Sequence, residues 1–165
     1  KFKLKNKNYF DFDQLIKNKS QDYIEFIEFM LFKNCQFIIG STSGIQAYAL
    51  LFNKLFFFVN NFPAGRIPIF KNCLYINKKY KKKNKYINYN KINIKVLLSE
   101  DYKVLRSNGY KIVNNSSKEI YDLVIDNIKF RKGINLKNKF KFIVEGEGGL
   151  CSKAWYQKNY KLFKN

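Results

Sequence analysis

Histidine is absent from the 165 residues. That removes the imidazole base of a serine triad and the commonest metal ligand after cysteine. Cysteine is scarce: three residues, Cys35, Cys73 and Cys151, with no C-x-x-C pair. A zinc ribbon and a disulfide framework therefore both lack their parts. An odd number of widely separated cysteines fits a reducing compartment, with each thiol as a small buried side chain. Long apolar runs are missing as well. The two longest, residues 48–52 and 55–59, are parted by Asn53 and Lys54, and neither approaches the roughly 20 residues of a membrane span. No signal peptide is visible.

Acidic residues are few, 12 against 32 lysines and arginines, giving a net charge of +20 and a pI near 9.8. Such a balance points to a polyanionic partner, nucleic acid or an anionic membrane. Composition offers a competing source. Lys, Asn, Ile, Tyr and Phe, the residues of AT-rich codons, crowd the chain, and drift towards lysine raises charge without selection for binding. The length suits a single domain spanning residues 1–165. Because it begins at Lys1 with a strand-like segment at residues 2–5, the chain reads as the C-terminal part of a longer protein whose N-terminal half is missing.

Along the chain, Ser20 before Asp22 and Glu25 marks a helix start. Ile24, Ile27 and Leu31 continue it towards Asn34. Residues 36–39 predict a buried strand, residues 40–44 a turn, residues 45–52 a helix stopped by Asn53, and residues 55–60 a strand apolar throughout. Strand, helix and strand in that order predict a parallel sheet. Both prolines, Pro63 and Pro68, lie in an irregular loop at residues 60–70. Residues 74–77 predict a short strand, and the run KKYKKKNK at residues 78–85 a solvated or mobile surface segment or, less often, an anion-binding patch. Further on, residues 102–108 predict a helix closed by Gly109, and residues 111–113 a strand. Ser116 with Glu119 is a capping box opening a helix with Ile120, Leu123, Val124 and Ile128 on one face and an end near Gly133. Helices are predicted again over residues 140–144 and 152–163.

The sharpest local feature is the turn GSTSG at residues 40–44. It is not a nucleophile elbow, because Thr42 takes the central place and no histidine is present. It is not a Walker loop either, since no Lys-Ser/Thr pair follows the second glycine. Two readings stand side by side. A glycine turn opening a helix offers backbone N–H groups to a phosphate, with Ser41, Thr42 and Ser43 adding hydroxyls. A tight strand-to-helix turn that needs glycine for its dihedrals and serine for a cap has the same letters.

The stretch CQFIIGSTSGIQAYALLFNKLFFFVNNFPAGRIP, residues 35–68, resembles the core of a family of bacterial glycosyltransferases of surface carbohydrate biosynthesis, which carries a pattern close to C-x-F-x-I-G-S-x-S-G, then a helix and a strand ending in V-N before a proline loop. LYINKKY at residues 74–80 and NGYKIVNNSSKEIYDLV at residues 108–124 extend the resemblance in order. The sequence departs from the family where Leu55 stands in place of a proline after lysine, and in the Lys/Asn/Tyr-rich linker at residues 80–94.

The resemblance implies a GT-B fold, with this chain its C-terminal half: a Rossmann-like parallel sheet flanked by helices that binds a nucleotide-diphosphate-sugar donor. Gly40, Ser41, Ser43 and Gly44 would meet the diphosphate, with Thr42 at a variable position within the same turn. Asn60 and Pro63 would shape the cleft edge, and Lys78 or Lys79 would neutralise phosphate charge. The acceptor would be a surface glycan or a lipid-linked sugar. The catalytic base would lie in the other half, so no catalytic residue is assigned and this part is expected to be inactive alone. No cofactor or bound metal is required by that reading, although a carboxylate-bound magnesium stays open. A cytoplasmic setting follows, with peripheral contact at the inner face of an anionic membrane suggested by charge alone. The alternative class is a basic RNA-binding or ribosome-associated protein, suggested by charge interleaved with aromatics. It ranks lower because the lysines are dispersed and the aromatics fall in apolar segments, where core packing explains them. An inactive fragment is the third reading.

Overall fold

A computed structural model describes residues 11–69, 71–128, 133–134 and 148–164. The chain divides into two compact units, residues 1–35 and 36–165. In the first, helix α1 (Phe12–Leu15) is followed by α2 (Gln21–Asn34). The Ser20 hydroxyl accepts a hydrogen bond from the Tyr23 N–H, and Asp22 sits in the first turn. This is the start that the capping residue and the macrodipole predict.

The second unit is built on a five-stranded sheet. Strand β1 (Phe37–Gly40), helix α3 (Ile45–Leu51) and strand β2 (Leu55–Asn61) form the predicted parallel crossover. Asn53, at φ 49°, ends α3. The N–H groups of Asn53 and Lys54 return to the carbonyls of Leu50 and Ala49 at 3.2 and 2.8 Å, a Schellman closure that asparagine tolerates in the left-handed region. Strand β3 (Cys73–Asn77) adds in parallel to β2. Phe56, Phe57, Phe58, Leu74, Tyr75 and Ile76 are all buried, which explains why these two strands read as continuous apolar runs rather than alternating ones. Cys73 and Cys151 are among the buried residues, and burial pushes both thiols far above their ordinary value.

Between Phe58 and Asn61 the register slips: β2 spends three steps where β3 spends two. The extra residue is a β-bulge, and Asn60 within it holds φ 55°. Bulges re-aim side chains at strand ends.

Lysine-rich residues 78–85 are a surface segment, with residues 82–85 exposed, but an ordered one. Strand β4 (Lys79–Lys82) and strand β5 (Lys85–Tyr86) make an antiparallel hairpin. The reason is alternation: Tyr80, between the half-buried Lys79 and Lys81, is fully buried and fixes the strand. Lys83 and Asn84, at φ 48° and 60°, form the two-residue turn with both centres left-handed that hairpins favour. Lysine suits that backbone poorly. Lys83→Asn is expected to raise stability by about 0.5–1 kcal/mol, read as a higher urea midpoint; a lower midpoint would mean the turn does not hold this conformation.

Helices α4 (Ile94–Leu97) and α5 (Tyr102–Ser107) follow, and Gly109 at φ 76° closes α5 as the sequence predicts. Strand β6 (Lys111–Val113) departs from the expectation of one sheet. It pairs antiparallel with β4, giving a separate three-stranded sheet in the order β5-β4-β6. Helix α6 (Ser117–Asn127) starts at the expected capping box and packs on β2 and β3, but it stops six residues before Gly133. Strands β7 (Gly133–Ile134) and β8 (Leu150–Ser152) complete the main sheet in the order β1-β2-β3-β8-β7, with β7 antiparallel. The helix expected over residues 152–163 is split into α7 (Lys153–Lys158) and a 3₁₀ turn, Tyr160–Leu162. The expected segments at residues 2–5 and 140–144 lie outside the described residues.

Candidate functional site

Parallel sheets present their strand ends, with the backbone groups left unpaired there, along one edge, and ligands bind in the crevice outside the carboxyl ends. Here that edge holds a cavity of about 370 Å³ lined by Ser41, Thr42, Asn60, Phe62, Lys78, Glu100, Tyr102 and Asn114. Ser41 and Thr42 follow β1, Asn60 lies at the bulged end of β2, and Lys78 follows β3. Three adjacent strands thus deliver residues at or just beyond their carboxyl ends to one place.

Lys78 is fixed by its backbone. Its N–H donates to the Asn61 carbonyl at 3.0 Å, and its own carbonyl accepts from the Tyr89 hydroxyl at 3.0 Å. Its ammonium donates to the Tyr102 hydroxyl at 3.3 Å and lies 5.5 Å from the centre of the Phe62 ring. The Phe62 and Tyr102 rings stack at 5.4 Å. Opposite them, the Glu100 carboxylate pairs with Arg66. A cation, a carboxylate, three hydroxyls and an aromatic wall therefore converge on one opening.

Asparagines hold this arrangement from beneath. The Asn60 N–H donates to Asn115 Oδ1 and the Asn115 N–H donates to Asn60 Oδ1, each at 2.6 Å. Asn115 Nδ2 donates to the Asn77 carbonyl at 2.9 Å, and Asn61 Nδ2 donates to Asn77 Oδ1 at 2.6 Å. The strand ends of β2, β3 and β6 are tied together by side chains where the ladders stop.

The sequence-predicted residues divide. Ser41, Thr42, Asn60 and Lys78 come together, and Thr42 lines the cavity although the resemblance treats its position as variable. Lys79 turns elsewhere: its ammonium binds Glu119 Oε1 and Oε2 at 2.9 and 3.0 Å, with the two side chains only 14% and 15% exposed. Gly40, Ser43, Gly44 and Pro63 are not among the lining residues. The glycines also do not serve the dihedral role open to them, since Gly109 is the positive-φ glycine among the described residues. A Cβ on Gly40 would come within 3.0 Å of Ile45 and Phe56, so close packing requires that glycine, whereas a Cβ on Gly44 would meet nothing within 4 Å. Gly44 caps α3 without a side-chain hydrogen bond, so the serine cap is not formed.

Sequence reasoning missed Phe62, Glu100, Tyr102 and Asn114, which come from segments with no local motif. One signal pointed towards them: β2 and β3 end in asparagine, as VNN and IN, and Asn114 and Asn115 follow β6 directly.

Among the described residues there is no group of three or more His, Cys, Asp or Glu placed to hold a metal, and no helix long and apolar enough to cross a membrane. Compared with known protein families, curated proteins and solved structures, the chain gives no match.

Proposed function

We propose that this chain is the donor-binding part of a glycosyltransferase, taking a nucleotide-diphosphate-sugar in the cavity at the ends of β1, β2 and β3. The observation that carries the reading is the convergence of Ser41, Thr42, Asn60 and Lys78 from three adjacent parallel strands. The resemblance at residues 35–68 supports it independently.

In this reading the diphosphate lies between the Ser41 and Thr42 hydroxyls and the Lys78 ammonium. Positive charge fixed there stabilises the leaving diphosphate as the bond between the sugar's anomeric carbon and the phosphate oxygen breaks. The Glu100 carboxylate accepts hydrogen bonds from ribose or sugar hydroxyls, and the Tyr102 ring, 46% exposed, offers an apolar face to a planar or sugar ring. The sugar passes to the hydroxyl of a glycan or lipid-linked acceptor.

Titration with uridine, guanosine, adenosine and cytidine diphosphates is expected to select one nucleotide. Lys78→Met is expected to weaken it by about 10- to 100-fold, the loss of one charge-assisted hydrogen bond, with the unfolding midpoint little changed. Equal affinity in a folded Lys78→Met protein, or no nucleotide bound at all, would remove the assignment.

A further inference from the structure

We infer that the β4–β5 hairpin is a docking surface for an anionic phospholipid bilayer. Its charges are arranged against its own stability. Lys82 stands directly opposite Lys85 across the hairpin, and Lys81 directly opposite Lys111 of β6. Like charges in such register repel. No carboxylate among the described residues lies within ion-pair distance of Lys81, Lys82, Lys83, Lys85 or Lys111. Lys83 also occupies a left-handed turn position that asparagine or glycine would fill more easily. Lys82 and Lys85 project from one face of the hairpin and Lys81 and Lys111 from the other, with Lys83 at the turn. Five cations thus flank the hairpin on both faces with no carboxylate among the described residues to neutralise them, and lipid phosphates supply that counter-charge to a hairpin entering the headgroup layer.

The aromatic residues decide between bilayer and nucleic acid. Proteins that bind single strands lay bases on open aromatic faces. Here the Tyr86 ring carries the Lys81 ammonium at 4.5 Å and that of Lys79 at 5.4 Å, while the Tyr110 ring carries Lys82 at 4.9 Å. The five uncompensated cations are all lysine, point charges that lack the planar guanidinium used to stack on bases. Tyr86, 50% exposed, has the amphipathic character that suits the headgroup layer.

The test is sedimentation of the whole chain with vesicles of phosphatidylcholine alone and of phosphatidylcholine mixed with phosphatidylglycerol, beside a single-stranded oligouridine. Lys82→Thr/Lys83→Asn/Lys85→Thr keeps strand and turn propensity, and its fold is checked by circular dichroism. We expect binding to the mixed vesicles only, and a loss of about 100-fold in the triple variant, five-fold for each lysine removed. Lys33→Gln/Lys91→Gln/Lys95→Gln, which removes equal charge from exposed positions outside the hairpin, is expected to stay within about threefold. Equal losses in both triples would make net charge the cause and overturn the proposal. So would equal binding to neutral vesicles, or oligouridine binding without sedimentation on the mixed vesicles. None of the six substituted lysines lines the cavity, so the nucleotide titration is expected to be unchanged in both triples and the two assignments fail separately.

Discussion

Glu119→Ala is expected to destabilise the second unit by about 3 kcal/mol at neutral pH, the scale of breaking a largely buried ion pair. The carboxylate is a junction of three elements. Lys79 of β4 donates to both of its oxygens at 2.9 and 3.0 Å. The Trp155 indole N–H of α7 donates to Oε1 at 2.9 Å. At its own helix start, the Ser116 N–H and hydroxyl donate to Oε2 at 2.9 and 3.1 Å. Removing it leaves a mostly buried ammonium and a buried indole N–H without acceptors, and orphaned donors of this kind dominate the cost. The comparison variant is Lys79→Met/Glu119→Leu, which removes the charges together. It should recover the share of the loss that comes from the unpaired ammonium, because an apolar pair of similar size is often neutral, while the Trp155 indole N–H stays without its acceptor. A Glu119→Ala cost below about 1 kcal/mol by urea unfolding would show that the junction carries little.

The same carboxylate sets a pH dependence. Burial pushes the Glu119 carboxyl up, but the Ser116 and Lys79 hydrogen bonds and the Lys79 charge outweigh it, so the group sits below its ordinary range. A depressed folded pKa contributes stability that is fully present above the unfolded value, about 4.3, and lost as pH falls through the folded value. The stability difference between the native chain and Glu119→Gln should therefore be constant from pH 7 to about 5 and shrink below about 4.

What could be read from the sequence followed from how local each signal is. Ser20 with Asp22, and Ser116 with Glu119, announce helices because a cap and its first-turn acid lie within three residues of each other. The β2 strand announces itself because both of its faces are covered. The β4–β5 hairpin was hidden because its strand alternation is tyrosine among lysines, and lysine content masks the single buried Tyr80. Lys78 and Lys79 are neighbours in sequence and diverge in space. Lys78 lies in the break between β3 and β4, whereas Lys79 begins β4 and turns towards Glu119. Half of the cavity lining was out of reach for a different reason. Glu100 and Tyr102 meet Ser41 only through long-range packing, and no spacing rule joins residues so far apart.

Asn115→Ala is expected to lower stability by about 3–4 kcal/mol and to weaken nucleotide binding with it, although Asn115 does not line the cavity. At 7% exposure its amide cannot be replaced freely by solvent. The substitution keeps the residue's own N–H donation to Asn60 but removes the acceptor for the Asn60 N–H and the donor to the Asn77 carbonyl. Each buried group so orphaned costs about 1–3 kcal/mol. Asn60 would feel the loss most, because its left-handed backbone at φ 55° persists only while its surroundings over-determine it. Once the bulge relaxes, Asn60 and the neighbouring Lys78 no longer face the same opening. Asn60→Gly separates the two effects: glycine accepts the dihedral, so the expected cost is about 1 kcal/mol, while the hydrogen bond from the Asn115 N–H is lost. Urea unfolding and nucleotide titration on both variants decide the matter. If Asn115→Ala binds nucleotide as tightly as the native chain, the asparagine ties do not position the cavity, and its geometry must come from the strand ladder and the Phe62–Tyr102 stack alone.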